Sequence, residues 1–146
     1  MTRLTPALQR LTAARLALAL ALAPAASLCG AADLTVKLDG ARPDGGPVRI
    51  AVQNDPARFP GRALKGLEVP AGASEGTLTD LPPGRYAIVA FQDLNRNGQL
   101  DRGRFNIPSE PYGFSQDARG NGGPPEFRDA AFDLPEAGAR ITVRLR

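Results

Sequence analysis

The chain contains no histidine, a single cysteine (Cys29) and few aromatic residues, 5% of its 146 positions. Without histidine, Ser-His-Asp and Cys-His catalysis and every histidine-ligated metal site are excluded. Ser74, Ser109 and Ser115 therefore have no imidazole to activate them. No acidic residue precedes Asp33, whereas three of the 18 basic residues do: Arg3, Arg10 and Arg15. The formal net charge of +3 belongs to that opening stretch, and the rest of the chain carries 15 residues of each sign. This balance removes the usual argument from a basic chain to a nucleic-acid partner, because the local cluster of Arg96, Arg102 and Arg104 stands among acids. A long hydrophobic run is missing too. The apolar stretch from Leu16 to Ala23 stops at Pro24, short of the roughly 20 residues that span a bilayer.

A basic start, a short apolar run and a small-residue ending read as a secretory signal peptide over residues 1–32, which places the mature protein in the periplasm or outside the cell. Gly30 and Ala32 suit cleavage after Ala32, and cleavage after Ala31 is the close alternative. Cys29 opens a lipoprotein reading in which it becomes a lipid anchor, although Leu28 stands where that processing wants a small residue. Cleavage beyond Cys29 leaves a chain without disulfides, stabilised by its core alone. Residues 33–146 have the length of one domain.

Within that domain glycine and proline cluster between short apolar runs, which signals many tight turns. The runs alternate with period two rather than 3.6. Leu34, Val36 and Leu38 share one face of a first strand. Val48, Ile50 and Val52 share one face of a second. Residues 63–69 and 74–81 are further candidates, Ala130 to Leu134 another, and Ile141, Val143 and Leu145 define the last. Residues 85–92 are apolar on both faces, which predicts a central strand covered on both sides. Its approach, Leu81-Pro-Pro-Gly-Arg-Tyr86, resembles the corner of immunoglobulin-like and transthyretin-like sandwiches. The expectation is an all-β fold: a single antiparallel β-sandwich of about seven strands.

The most distinctive segment begins where the central strand ends: Asp93-Leu-Asn95-Arg-Asn97-Gly98-Gln99-Leu-Asp101. It is close to the first half of a calcium loop. Calcium wants about six to eight oxygens, which alternate positions of a tight loop can aim at one centre. Asp93, Asn95 and Asn97 would offer side-chain oxygens, Gln99 its backbone carbonyl and Asp101 a carboxylate. The bidentate glutamate that closes an EF-hand is absent, and Arg104 stands in its place. The plainer reading is a turn that bonds to itself, since Asp, Asn and Gly all suit left-handed backbone.

A long loop follows, carrying Glu110, Tyr112, Phe114 and Arg119. These residues suit a binding surface for a small polar ligand or a peptide. Alternatively, Phe105, Tyr112, Phe114 and Phe127 plug one end of the fold. The ordered series Leu-Pro-Pro-Gly-x-Tyr, Gln92-Asp93, Asn95-x-Asn97-Gly98-x-x-Asp101, Pro108-x-Glu110-x-Tyr112-Gly-Phe-Ser115 and Pro125-x-Phe127-x-Asp129-Ala-Ala-Phe132 resembles the bacterial domain-of-unknown-function 2141 family. That resemblance implies a small exported sandwich protein and no particular activity. Ser115-Gln116 departs mildly from the family's usual Ser-Asn at that point.

The leading functional expectation is a non-enzymatic exported binding module for a cell-envelope glycan, peptide or protein, with calcium as its candidate cofactor. The alternative is a carboxylate-based hydrolase of cell-envelope glycans, for which Asp93, Asp101, Glu110 and Asp129 are the candidate acids and bases.

Overall fold

The computed structural model describes residues 30–146. Most of the expected leader, with Cys29, lies outside the described residues. The fold is all-β, with eight strands among the described residues, in chain order: β1 (Ala32–Asp39), β2 (Val48–Gln53), β3 (Lys65–Val69), β4 (Glu75–Leu81), β5 (Gly84–Gln92), β6 (Tyr112–Phe114), β7 (Phe132–Leu134) and β8 (Ala139–Arg144). A one-turn helix, α1 (Phe127–Ala130), precedes β7.

The strands form two sheets. One has the order β4-β1-β8. The other has the order β3-β2-β5-β6, with β7 also paired to β5. Every pairing is antiparallel except β1 with β8, which run parallel. The expectation of purely antiparallel sheets is corrected here, and the reason is topological. Antiparallel geometry follows from hairpin connections, whereas β1 and β8 come from opposite ends of the chain with the whole second sheet between them.

The period-two pattern places the core as expected. Leu34, Val36 and Leu38 of β1, Val48, Ile50 and Val52 of β2, and Ile88 and Ala90 of β5 are buried in one continuous cluster. The opposite face of β5 is covered as well. Ala87 and Val89 pack with Phe114, Phe127, Ala130 and Ala131 in a second cluster. Phe59 meets Phe114 and Phe127 edge-on there, at ring-centroid distances of 5.9 and 5.7 Å. Such pairs contribute about 0.5–1.5 kcal/mol each beyond area burial. The Tyr86 hydroxyl donates to the Pro82 carbonyl at 2.6 Å. This fastens the start of β5 to the turn before it, as in the tyrosine corner of sandwich domains.

Two strand expectations change. The count is eight rather than seven because Tyr112–Phe114, expected as loop, adds to β5 as β6. Three residues are too few to show an alternating pattern. Ala130 ends α1 instead of beginning a strand, and β7 starts at Phe132. At the other end, Ala32 already belongs to β1, is buried and pairs with Leu81.

Candidate functional site

The end of β5 is gripped from both sides. The Gln92 amide donates to the Pro111 carbonyl at 2.8 Å, and the Asp93 amide to the Pro47 carbonyl at 2.9 Å. The buried Gln92 side chain ties down the turn before β2. Its Nε2 donates to the carbonyls of Arg42 and Gly46, and its Oε1 accepts from the Arg42 amide. This approach is so close that a Cβ at Gly46 would collide with the Asp93 carbonyl oxygen. Only glycine fits there.

Asp93 therefore leaves the sheet inside the protein, and its side chain is fully buried. Its Oδ1 accepts from the Asn97 amide at 3.0 Å. Its Oδ2 accepts from the Gly98 amide and from Arg49 Nε, both at 2.8 Å. Burial pushes the Asp93 carboxyl up. The hydrogen bonds from Arg49, Gly98 and Asn97, with the Arg49 charge, outweigh it and hold the group below its ordinary value. The same hydrogen bond raises Arg49, which also reaches Glu68 at 2.9 Å. The left-handed backbone at Arg96 and Gly98 curls the chain so that successive amides point back at the carboxylate.

The outer half of the loop is bonded through its own Asn and Asp side chains. Asn95 Oδ1 accepts from the Asn97 amide, and Asn97 Oδ1 accepts from the Gln99 amide. The Nδ2 groups of Asn95 and Asn97 both donate to the Asp101 carboxylate. A second buried carboxylate braces the loop from behind. Glu110, 5% exposed, accepts from the Leu94 amide at 2.8 Å and from the Asp101 amide at 3.0 Å.

These donors decide how the residues suit a cation. Asp93 and Glu110 have both oxygens engaged by N–H groups, and amide nitrogens of Asn95 and Asn97 meet Asp101. A calcium ion needs about six to eight converging oxygens. As arranged, the loop's oxygens are turned to its own N–H groups rather than converging on one centre. Among the described residues, no group of three or more Cys, Asp or Glu side chains is placed to hold a metal.

The candidate binding residues are dispersed by burial. Glu110 is structural to the loop, Phe114 is buried against Phe59, and Tyr112 is half-buried in β6. Arg119 is exposed, 3.9 Å from Asp117, whose carboxylate is held mainly by Arg146. Phe105 does not join the aromatic cluster and is 92% exposed. Asp129, on α1, is also exposed and lies 3.7 Å from Arg128. A cleft of about 420 Å³ lies between Leu64–Lys65 and the turn from Asp80 to Tyr86. Another, of about 250 Å³, lies beside Arg49, Glu68 and Arg96. Neither contains Asp93, Asp101, Glu110 or Asp129.

Arg49 and Gly46 were not singled out by the sequence pattern, and Gln92 entered only in the motif series, although all three hold the loop. The available signal was a polar Gln92-Asp93 pair directly continuing a strand apolar on both faces. Such a pair is buried and needs partners. Which partners depends on the β2–β5 register, which sets Arg49 opposite Phe91.

No curated protein and no solved structure matches the chain. Residues 36–142 match the family described as an uncharacterized protein conserved in bacteria, DUF2141. This span covers most of the chain and includes both carboxylates of the loop, so the chain belongs to the DUF2141 family.

Proposed function

We propose that the protein is an exported, non-enzymatic binding module of the bacterial cell envelope, built on an immunoglobulin-like or transthyretin-like sandwich of its two sheets. The basic, acid-free leader supports export by signal-peptide cleavage to the periplasm or beyond; lipidation at Cys29 is the alternative route. The observation that carries the non-enzymatic reading is the use of Asp93 and Glu110. Both carboxylates are buried and spend their oxygens on N–H groups of their own loop. A glycan hydrolase needs one carboxyl held protonated at working pH and both open to substrate. Asp93 is instead held ionised by Arg49 and away from solvent.

Calcium enters this proposal as a competitor of the self-bonded loop. An ion at Asp101 requires Asn95 and Asn97 to turn their amides over and present Oδ1, surrendering the bonds that now shape the turn. The partner class is an envelope glycan, peptide or protein, and a nucleic acid is not expected. The test is cell fractionation of the producing bacterium, followed by screening the exported protein against envelope glycans and peptides. Saturable binding without turnover is the expected result. Release of sugar products, abolished in Asp101→Asn or Asp129→Asn, would overturn it.

A further inference from the structure

Between the Asp/Asn loop and β6 the chain makes a small hairpin. Arg102 bridges to Pro108, the Gly103 amide donates to the Ile107 carbonyl at 2.8 Å, and the Ile107 amide returns to the Arg104 carbonyl. Both central residues of this turn, Phe105 and Asn106, have left-handed φ, of 59° and 60°. That is the backbone of a type I′ turn, which favours Asn-Gly. A phenylalanine is a costly choice at its first central position, because its Cβ crowds the backbone.

Folding gains little from the residue placed there. Phe105 is 92% exposed and Ile107 61%. The other seven aromatic residues are buried or half-buried. Arg102 and Arg104 flank the two apolar side chains, and both are exposed. Among the described residues neither forms an ion pair. Arg102 Nη1 instead bonds the Asn106 carbonyl, fixing a cation beside the tip. The base of the hairpin is fastened to the interior through the Asp101 carbonyl, which accepts from Ser109, and through Glu110.

We propose that this tip is a membrane-docking finger: Phe105 and Ile107 enter the headgroup region of an anionic lipid bilayer while Arg102 and Arg104 meet its phosphates. A convex tip finds its complement in a soft surface that closes around it, without a shaped pocket. Phe and aliphatic side chains of interfacial segments bury at the boundary between headgroups and acyl chains. Unpaired arginines are drawn to anionic headgroups, with each worth about fivefold in affinity. Two apolar side chains and two cations make the binding weak and reversible. The proposal rests on the exported binding-module reading and names one surface that the module engages.

The chain lacks tryptophan, so Phe105→Trp installs a single reporter at the tip. Its emission is read with vesicles of phosphatidylcholine alone and of phosphatidylcholine with phosphatidylglycerol. The expected result is a blue shift on the anionic vesicles only, quenched by brominated acyl chains. Ile107→Ser and the pair Arg102→Gln with Arg104→Gln should each weaken vesicle affinity at least fivefold without lowering the melting temperature. An unshifted reporter on anionic vesicles overturns the proposal, as does an equal shift on neutral ones. A shift produced only by an envelope protein fraction overturns it in favour of a protein partner. The readout is local to residue 105, so failure here leaves whole-domain ligand screening, and with it the module reading, standing.

Discussion

Replacing Asp93 with Asn is the sharpest test of how the loop is held. The side chain keeps its size but loses its charge, and its new NH2 group meets an N–H donor where an oxygen stood. The native carboxylate accepts from Arg49 Nε, Asn97 N and Gly98 N. Asn97 keeps a second acceptor in Asn95 Oδ1, and Arg49 keeps Glu68. The Gly98 amide and Arg49 Nε share Oδ2, so the new side chain turns its oxygen to them and sets its NH2 against the Asn97 amide, where that NH2 becomes the buried donor left without an acceptor. A buried donor left unmade costs about 1–3 kcal/mol, and hydrogen bonds to a charged acceptor contribute about 1.5–3 kcal/mol. Arg49 is 35% exposed, which lets water recover part of its loss. The net cost is about 3 kcal/mol. For a domain of this size that lowers the melting temperature by roughly 12 °C, measured by circular dichroism or calorimetry at neutral pH. The pH dependence carries the same signature. Because the folded carboxyl titrates below its ordinary value, its contribution is complete above the unfolded pKa of about 3.9 and is lost as the pH falls through the folded value. Wild type should therefore lose its advantage over Asp93→Asn on acidification below about pH 4. A melting temperature within roughly 3 °C of wild type at neutral pH would refute the account of Asp93 as the loop's anchor.

Glu110→Gln should cost about 1–2 kcal/mol, because one of the Leu94 and Asp101 amides then faces an NH2 group; chemical denaturation at neutral pH measures it, and an unchanged midpoint contradicts the bracing role. Millimolar calcium should leave the melting temperature unchanged; a rise that disappears in Asp101→Ala would show that the ion displaces the self-bonded arrangement. On the proposed export, mass spectrometry of the mature chain should find its first residue at Ala32 or earlier, rather than at the Asp33 that cleavage after Ala32 leaves, since Ala32 is buried against the fold in β1; a mature chain starting at Asp33 with unchanged stability would show that this contact is dispensable.

Much of the fold was legible because burial writes a period into the sequence. The alternation in β1, β2 and β8 gave their inward faces, and the two apolar faces of residues 85–92 marked β5 as central. The three-residue β6 carried no period to read, and Tyr112 and Phe114 served equally well as loop or strand until β5 offered an edge to pair with. The parallel β1–β8 pair was illegible because strand direction across a sheet depends on the path of the intervening chain. At the loop, the residue types were the right ones to notice, but their allegiance was open. An Asp, Asn and Gly turn can point its oxygens inward at an ion or spend them on its own amides, and composition alone does not separate the two.

By itself, then, the sequence determined that this is a histidine-free β-protein with an unevenly charged start and one Asp/Asn-rich loop at the end of a doubly buried strand. It also determined family membership, through the order of its motifs. Only the tertiary structure decided what the loop's carboxylates do. It brought Arg49 from β2 and Glu110 from beyond the hairpin to the same turn, and it turned Phe105 out to solvent while drawing Phe114 and Phe127 in. The physical reason is that a side chain's role follows from the partners within a few ångströms of it. For residues 44 positions apart, such as Arg49 and Asp93, those partners are set by strand register.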